Sequence, residues 1–501
     1  MKKPEVLIIG SGMGGLVCAS LLCKLGYQVC VVERNKQLGG NLQIYVRNKV
    51  IFDSGVHYLG GLDKGQNLYQ IFKWIGITEH LRLEKMDQAF DRILVGNSRK
   101  EYRIMQGYDN FERELLREFP DEEKAVHEYL STIRSICDRF PLYRLHTGGD
   151  TMKKQEAMGI SAKKFIESLT QNPVLRAVLA GNNMLYAGSG DDTPLYVHAL
   201  TTNSYIESAW RCLNGGSQIV QLMAKNILAS GGRIIRNREV RKLEMEGEVV
   251  KKAILSDGTS VSADYFISNT SPANTYRMTD SARIRPVTRQ RMVEQPNTVS
   301  SFVLNLVFKR NHFPYLKHNY YYHREGQLWN MENYREEEWP LGYAMYIAPS
   351  ENSEYARGMT IFAYMRYAEV ESWADSFNTV AAKHPRGNGY EEFKNRKREQ
   401  LLDTVEERFP DLRKAILHSY MSTPLTFRDY IGNQDGNLYG FRKDYRQPVS
   451  SMISPKTRIS NLFLTGQYLN LHGILGTAIS GLQTVMALTG QEEFIEKISH
   501  A

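Results

Sequence analysis

Val6-Leu7-Ile8-Ile9-Gly10-Ser11-Gly12-Met13-Gly14-Gly15 opens the chain, and Val29-Cys30-Val31-Val32-Glu33 follows one helix length later. The first four residues read as a short buried strand, and Leu16 to Leu25 reads as an apolar helix. The second apolar run ends in an acid. This is a βαβ unit with Gly-x-Gly-x-x-Gly in its first turn. Gly10 permits the tight turn, Gly12 lets the backbone approach a pyrophosphate, and Gly15 lets the helix pack closely on the strand. The N–H groups and dipole of the helix start favour the phosphates. Glu33 can accept hydrogen bonds from ribose hydroxyls and would repel a 2′-phosphate. Strand, helix, second strand and acid fall in register, so the unit predicts a dinucleotide site.

Outside this unit the composition sets bounds. The 501 residues, 42% hydrophobic and 24% charged, suit a globular chain with a sizeable core. Its five cysteines form no Cys-x-x-Cys pair and no zinc-like spacing, which predicts structural thiols in a reducing compartment and no metal site. Met1-Lys2-Lys3 before an apolar run resembles a secretory signal, but glycines interrupt the run, and we expect no signal peptide. No apolar stretch is long enough to span a membrane. The expected location is cytoplasmic, with peripheral contact at the inner face of a membrane. The net charge of +8 could favour an anionic surface, yet nucleic-acid motifs are absent and no nucleic-acid partner is expected. The densest basic run, Lys394-Asn395-Arg396-Lys397-Arg398, reads as a solvated helix face.

Dinucleotide-domain features return late in the chain, so that domain is expected to be discontinuous: 1–62, 206–290 and 451–501, with 63–205 and 291–450 forming a substrate domain. The segment 61–205 reads as mainly helical, with a capping arrangement from Asp109 to Glu112. A helix to about Ala229 leads into strands at Arg233 to Arg236, Val240 to Met245, Val249 to Leu255 and Ala263 to Ile267. Ser301 to Phe308 alternates like a half-buried strand. Tyr320-Tyr321-Tyr322, Trp329, Trp339, Tyr343, Tyr346, Phe362, Tyr364 and Tyr367 crowd this region. They suit either an apolar pocket wall or an ordinary core. The fold class expected is α/β: an FAD-binding Rossmann-like domain of glutathione-reductase type, with an inserted mixed α+β substrate domain.

Two features select FAD over NAD. Gly39-Gly40 gives bare backbone where a long dinucleotide crosses the chain, and strand Leu462-Phe463-Leu464-Thr465, Gly466 and the following helix can set a helix start beneath a flavin ring. Gly10, Gly12, Gly15, Glu33, Gly39-Gly40 and Phe52-Asp53-Ser54-Gly55 then resemble the FAD signature of the phytoene desaturase and carotenoid isomerase superfamily. Phe52 through Gly60 is similar to the motif of the retinol saturase branch. Asp192-Thr193-Pro194 through His198-Ala199-Leu200, Asn203 and Tyr205, leading into Gly215-Gly216-Ser217, is similar to its central segment. Thr423-Pro424-Leu425-Thr426, Gly432, Gly436, Tyr439-Gly440 and Leu464-Thr465-Gly466-Gln467 resemble its closing segments. The likeness runs from residue 5 to about 490. Two positions depart from it: Lys49 stands where the pattern expects glycine, and Tyr468 where it carries an acid.

The resemblance implies hydride transfer between flavin and a carbon–carbon double bond of a hydrophobic polyene or isoprenoid. Saturation leads. Desaturation, cis–trans isomerisation and a non-catalytic prenyl-lipid escort stay open, as does the electron donor. The cofactor-binding set expected is Gly10, Ser11, Gly12, Gly14, Gly15, Glu33, Arg34, Gly39, Gly40, Asn41, His57, Tyr58, Val240, Gly466, Gln467, Gly473 and Gly476. A proton donor should be a His or Tyr near the ring. His198 and Tyr205 are the first choices because they fall on the branch's motif, with His57, Tyr58 and His472 behind them. Asp53 is expected to order its loop, and Arg428-Asp429 to form a local ion pair.

Overall fold

The computed structural model describes residues 3–350 and 354–501, so Met1 and Lys2 of the signal-like opening lie outside the described residues. A five-stranded parallel sheet has the order Arg233–Ile235, Gln28–Val32, Glu5–Ile9, Tyr265–Ser268, Leu462–Leu464. Its strands come from both ends and the middle of the chain. They read as near-continuous apolar runs because helices cover both faces. Helix Met13–Lys24 packs between Ser217–Ala229 and Gly473–Thr489, with Val17, Leu21 and Leu22 buried against Ile227, Ala478 and Leu482. The strands at Val240–Glu246, Val249–Leu255 and Ser260–Ser262 form a separate antiparallel sheet beside it.

A second, seven-stranded sheet has the order Ile416–Ser422, Ser300–Phe308, Gly358–Met365, Gly342–Ile347, Asn319–His323, Ala89–Val95, Glu101–Met105. All its pairings are antiparallel except that of Asn319–His323 with Ala89–Val95. Tyr321, Tyr343, Phe302 and Met345 join the largest core, which continues into helices Glu123–Asp138 and Leu195–Glu207.

Several expectations change here. The segment 61–205 is helical only in part, because Ala89–Val95 and Glu101–Met105 leave it to complete the seven-stranded sheet. Ser300–Phe308 is buried along its whole length. It is an inner strand with neighbours on both edges, and its other face is covered too: Val307 packs with Val50 and Phe52, and Asn305 is satisfied by Thr360 and Tyr45. The helix Tyr108–Glu118 starts on Gly107, without a side-chain cap from Asp109 or Glu112. The helix Asn67–Ile75, expected with the substrate domain, packs Leu68, Ile71 and Phe72 into the core of the parallel sheet. The basic run is no uniformly solvated face. Lys397 is fully buried, 2.6 Å from Glu369 and over the Trp339 ring.

Candidate active site

A cavity of about 600 Å³ runs between the two sheets. At one end lie Arg238, Glu239, Val240 and Arg241; Glu33 and Arg34 come next, then Gly10, Gly12 and Gly14, then Gly39, Gly40 and Asn41. The far end is walled by His57, Val303, Tyr346, Phe362, Phe427, Leu438, Tyr439, Gln467 and Gly473.

The glycine turn fits a dinucleotide by its lack of side chains. A Cβ on Gly12 would stand 2.8 Å from Asn269 Nδ2, one on Gly14 2.8 Å from Gly466 Cα, and one on Gly15 2.3 Å from the Gly10 carbonyl oxygen. The start of the first helix, the end of the last strand and the Gly39-Gly40 crossing therefore meet backbone to backbone. Glu33 lines the cavity with its carboxylate fixed: Oε2 accepts from Ser11 N–H (2.9 Å) and Ser11 Oγ (2.6 Å), and Oε1 from Asn35 N–H (2.8 Å). A carboxylate has about four acceptor sites, so capacity remains for a ribose hydroxyl. The helix Gly473–Thr489 presents Gly473, Ile474 and Thr477 to the cavity from its first turns, where backbone N–H groups lack helical partners. These residues fit FAD: an acid for ribose, bare N–H groups for pyrophosphate, and a helix start at the apolar end.

Most of the expected cofactor set lies on this cavity. Ser11 and Gly15 stand behind the wall, where Ser11 orients Glu33 and Gly15 lets helix meet strand. Gly466 also stands behind it, with Asn269 packed against its Cα side. Tyr58 and Gly476 line a second cavity of about 120 Å³ instead. It shares His57, Tyr346, Tyr439 and Gly473 with the first and continues past the apolar end. Among the described residues, its lining includes Leu59, Leu68, Leu185, Leu200, Leu471 and Leu475 and no Lys, Arg, Asp or Glu. A third, of about 270 Å³, shares Tyr143, Leu200 and Leu471 with the second and reaches the exposed His146 to Thr151 loop.

Of the proton-donor candidates, Tyr205 lines the second cavity, its ring 4.4 Å from that of Tyr58. His198 lines none of these cavities. It is fully buried, its Nε2 is 2.8 Å from Tyr129 Oη and its Nδ1 2.8 Å from Tyr186 Oη, so both nitrogens are spent on the core. Burial pushes its pKa down to about 3. We correct its assignment from catalyst to core residue. His57 stacks on Tyr346 with ring centroids 4.3 Å apart. Burial, then the Arg211 charge, lower its pKa to about 4, and burial does the same for His472. Neither imidazole carries a spare proton at neutral pH.

Asp53 orders its loop, accepting from Gly216 N–H at 2.7 Å. Arg428 and Asp429 pair at 2.8 Å, with Arg386 on the other carboxylate oxygen. Sequence reasoning missed Asn269, which lines the cavity between Gly12 and Gly466, and Tyr346 at the junction of the two cavities. An asparagine after a strand and a tyrosine within an aromatic-rich one carry no local signal of such a role.

Residues 13–489 match the profile of the family described as flavin containing amine oxidoreductase. The chain is 25% identical to the all-trans-retinol 13,14-reductase of Danio rerio over 99% of this chain and 88% of that protein. Identity to the Homo sapiens protein of the same name is 26% over 95% and 84%. A 4,4'-diaponeurosporene oxygenase of Staphylococcus haemolyticus is 20% identical over 94% of each chain. Among solved structures, an oxidoreductase from Methanosarcina mazei matches with a TM-score of 0.65 at 16% identity, over 97% of this chain and 100% of that one. A putrescine oxidase matches with a TM-score of 0.62 at 12% identity, over 98% and 100%. The structural likeness bears on the fold.

Proposed function

Because the chain belongs to the flavin containing amine oxidoreductase family, we propose that its FAD-dependent chemistry is the saturation of a carbon–carbon double bond in a retinoid- or carotenoid-like polyene. The observation that carries this reading is the uncharged second cavity, which leaves the apolar end of the FAD site between leucine and tyrosine side chains. A hydrocarbon chain needs no charged partner, and a wall of leucine and tyrosine side chains suits it. Reduced FAD, when bound, supplies the hydride. The protein's part is to hold an alkene carbon at the junction beside Tyr346 and Tyr439, to exclude water with leucines, and to present a proton to the neighbouring carbon.

The third cavity supplies a route from the surface, and we propose that its mouth contacts a membrane peripherally. Met152 is 71% exposed there, beside Lys153 and Lys154. The test of function is anaerobic mixing of the reduced protein with all-trans-retinol and a panel of carotenoids. Flavin reoxidation with a product heavier by two hydrogens supports saturation. An isomer of unchanged mass, or a desaturated product from the oxidised protein, would move the assignment to isomerase or desaturase.

A further inference from the structure

Saturation leaves one question of chemistry that the FAD site does not answer: the source of the proton. Several acidic hydrogens face the cavities, and most are already committed to the backbone. Tyr439 Oη donates to the Met184 carbonyl (2.9 Å), and Tyr205 Oη points to the Tyr58 carbonyl (3.4 Å). His472 Nε2 lies 3.2 Å from the Leu185 carbonyl. Tyr346 is different. It lines both cavities, and its Oη lies 3.1 Å from Tyr321 Oη. Tyr321 Oη is 2.8 Å from Tyr58 Oη, and Tyr58 Oη donates to Asp91 Oδ2 at 2.8 Å.

The register of the seven-stranded sheet builds this line. Asn319 pairs with Asp91, and Tyr321 with Ala344, so the two-residue period sets Asp91, Tyr321 and Tyr346 on one face. Asp91 is fully buried. Its other oxygen accepts from Asn319 Nδ2 at 2.9 Å, and Asn319 Oδ1 in turn accepts from Arg211 at 2.8 Å. The guanidinium of Arg211 is also buried, held by the carbonyls of Leu316 and His318. A buried acid, a cation one amide away and three phenols in line make a proton store with an outlet.

We propose that Tyr346 is the catalytic acid that protonates the polyene, and that Tyr321, Tyr58 and Asp91 act through it as a relay that restores its proton. The inference rests on the saturation reading above. In the step, the carbon next to the one that receives the hydride forms a C–H bond with the Tyr346 hydroxyl proton. With Asp91 in its protonated form the bond to Tyr58 runs the other way, Oδ2 donating to Tyr58 Oη; Tyr346 then takes a proton from Tyr321, Tyr321 from Tyr58, and Tyr58 from the Asp91 carboxyl. Reduced flavin is oxidised and the alkene reduced. Asp91 ends as a carboxylate, balanced through Asn319 by Arg211, and water reprotonates it between turnovers.

The surroundings agree with this. The groups facing Asp91 are Asn319, Tyr58, Asn182 and Arg211, with Tyr205, Tyr321 and Tyr346 beyond; burial outweighs the bonds they offer and pushes its pKa up to about 7. Burial also holds the Tyr58, Tyr321 and Tyr346 phenols well above their ordinary range, so each keeps its proton at neutral pH.

Two measurements on the FAD-loaded protein test the relay. In anaerobic single turnover with a polyene the wild type accepts, Tyr346→Phe should slow flavin reoxidation on the order of 10²-fold at unchanged substrate affinity. Tyr321→Phe, which breaks the line at a distance from the substrate, should slow it in the same direction. Asp91→Asn should abolish the fall in rate as pH rises through about 7. Separately, and with no substrate, infrared spectroscopy should find, beside the protonated carboxyl of Asp53, a second carboxyl component that titrates near pH 7 and is lost in Asp91→Asn but kept in Tyr321→Phe. A carboxyl signal unchanged by Asp91→Asn overturns the proton store whatever the substrate. Unchanged rates in Tyr346→Phe, or a retained pH limb in Asp91→Asn, overturn the relay while saturation stands. A wild type that reduces no polyene overturns the saturation reading, and the relay's role in it, even where the band is present.

Discussion

At Glu33 the carboxylate accepts three protein hydrogen bonds and still faces the cavity. Ser11 and Asn35 thus fix its direction toward the cavity. Glu33→Ala removes charge-assisted bonds of about 1.5–3 kcal/mol each, so FAD affinity should fall roughly 10- to 100-fold, read by fluorescence titration. His198 makes the contrasting case. It holds the Tyr129 and Tyr186 hydroxyls in the core and touches none of the three cavities. His198→Ala should cost about 3 kcal/mol or more, from a cavity and stranded hydroxyls, while the flavin absorbance of the folded fraction stays unchanged. A thermal melt followed at the flavin band checks both parts. A lost flavin signal in well-folded protein would contradict the core assignment.

Elements position these residues through their ends. The helix starting at Met13 and the one starting at Gly473 both open onto the cavity, so two sets of unpaired N–H groups converge there. The strands Ile44–Arg47 and Val50–Asp53 form a hairpin that carries Asp53 to the start of helix Ser217–Ala229, where it accepts from Gly216 N–H. The hairpin's turn is Asn48-Lys49, with φ of 49° and 63°. Left-handed backbone suits asparagine and glycine and strains lysine. Lys49→Gly, which restores the residue expected there from the resemblance, should stabilise the protein by about 0.5–1 kcal/mol, seen as a higher urea midpoint. A lower midpoint would mean that the Lys49 side chain contributes more than its strain costs.

At the scale of the whole molecule, the three cavities share lining residues in turn from Glu33 to the surface, and Leu200 lies where the second meets the third. Leu200→Trp should raise KM for a polyene roughly tenfold or more while leaving FAD binding and chemical reduction of the flavin intact. Burial also sets a pH response. Desolvation lowers the pKa of His57, His318, His323 and His472 to about 4, and that of His198 to about 3, from an ordinary value of 6.5. Between about pH 4 and 6.5 the unfolded chain therefore binds protons at these histidines that the folded chain refuses. Burial of Asp53 and Asp91 works the other way, raising each to about 7, so the folded chain holds two protons the unfolded chain releases. Five outweigh two. Stability should fall as pH drops from 6.5 to about 5, with a lower urea midpoint at the acid end. A midpoint that rises on acidification would show the carboxyl groups winning.

The sequence by itself determined the FAD end of the molecule. Strand, glycine turn, helix and Glu33 are local in the chain, and each is written in residue types whose geometry has few alternatives: glycine for close backbone approach, alternating or continuous apolar runs for buried elements. The return of the parallel sheet at Arg233, Tyr265 and Leu462 was legible for the same reason. What only the tertiary structure decided was everything that depends on which face of the second sheet meets the cavity. Ala89–Val95 lies in a helix-rich segment; it pairs with the nearby edge strand Glu101–Met105 on one side and with Asn319–His323, more than 200 residues away, on the other. Nothing local distinguishes Asp91 or Tyr346 from their neighbours, nor His198 as a core residue from His198 as a catalyst. Their roles follow from register, burial and who stands 2.8 Å away, and those are properties of the packed chain.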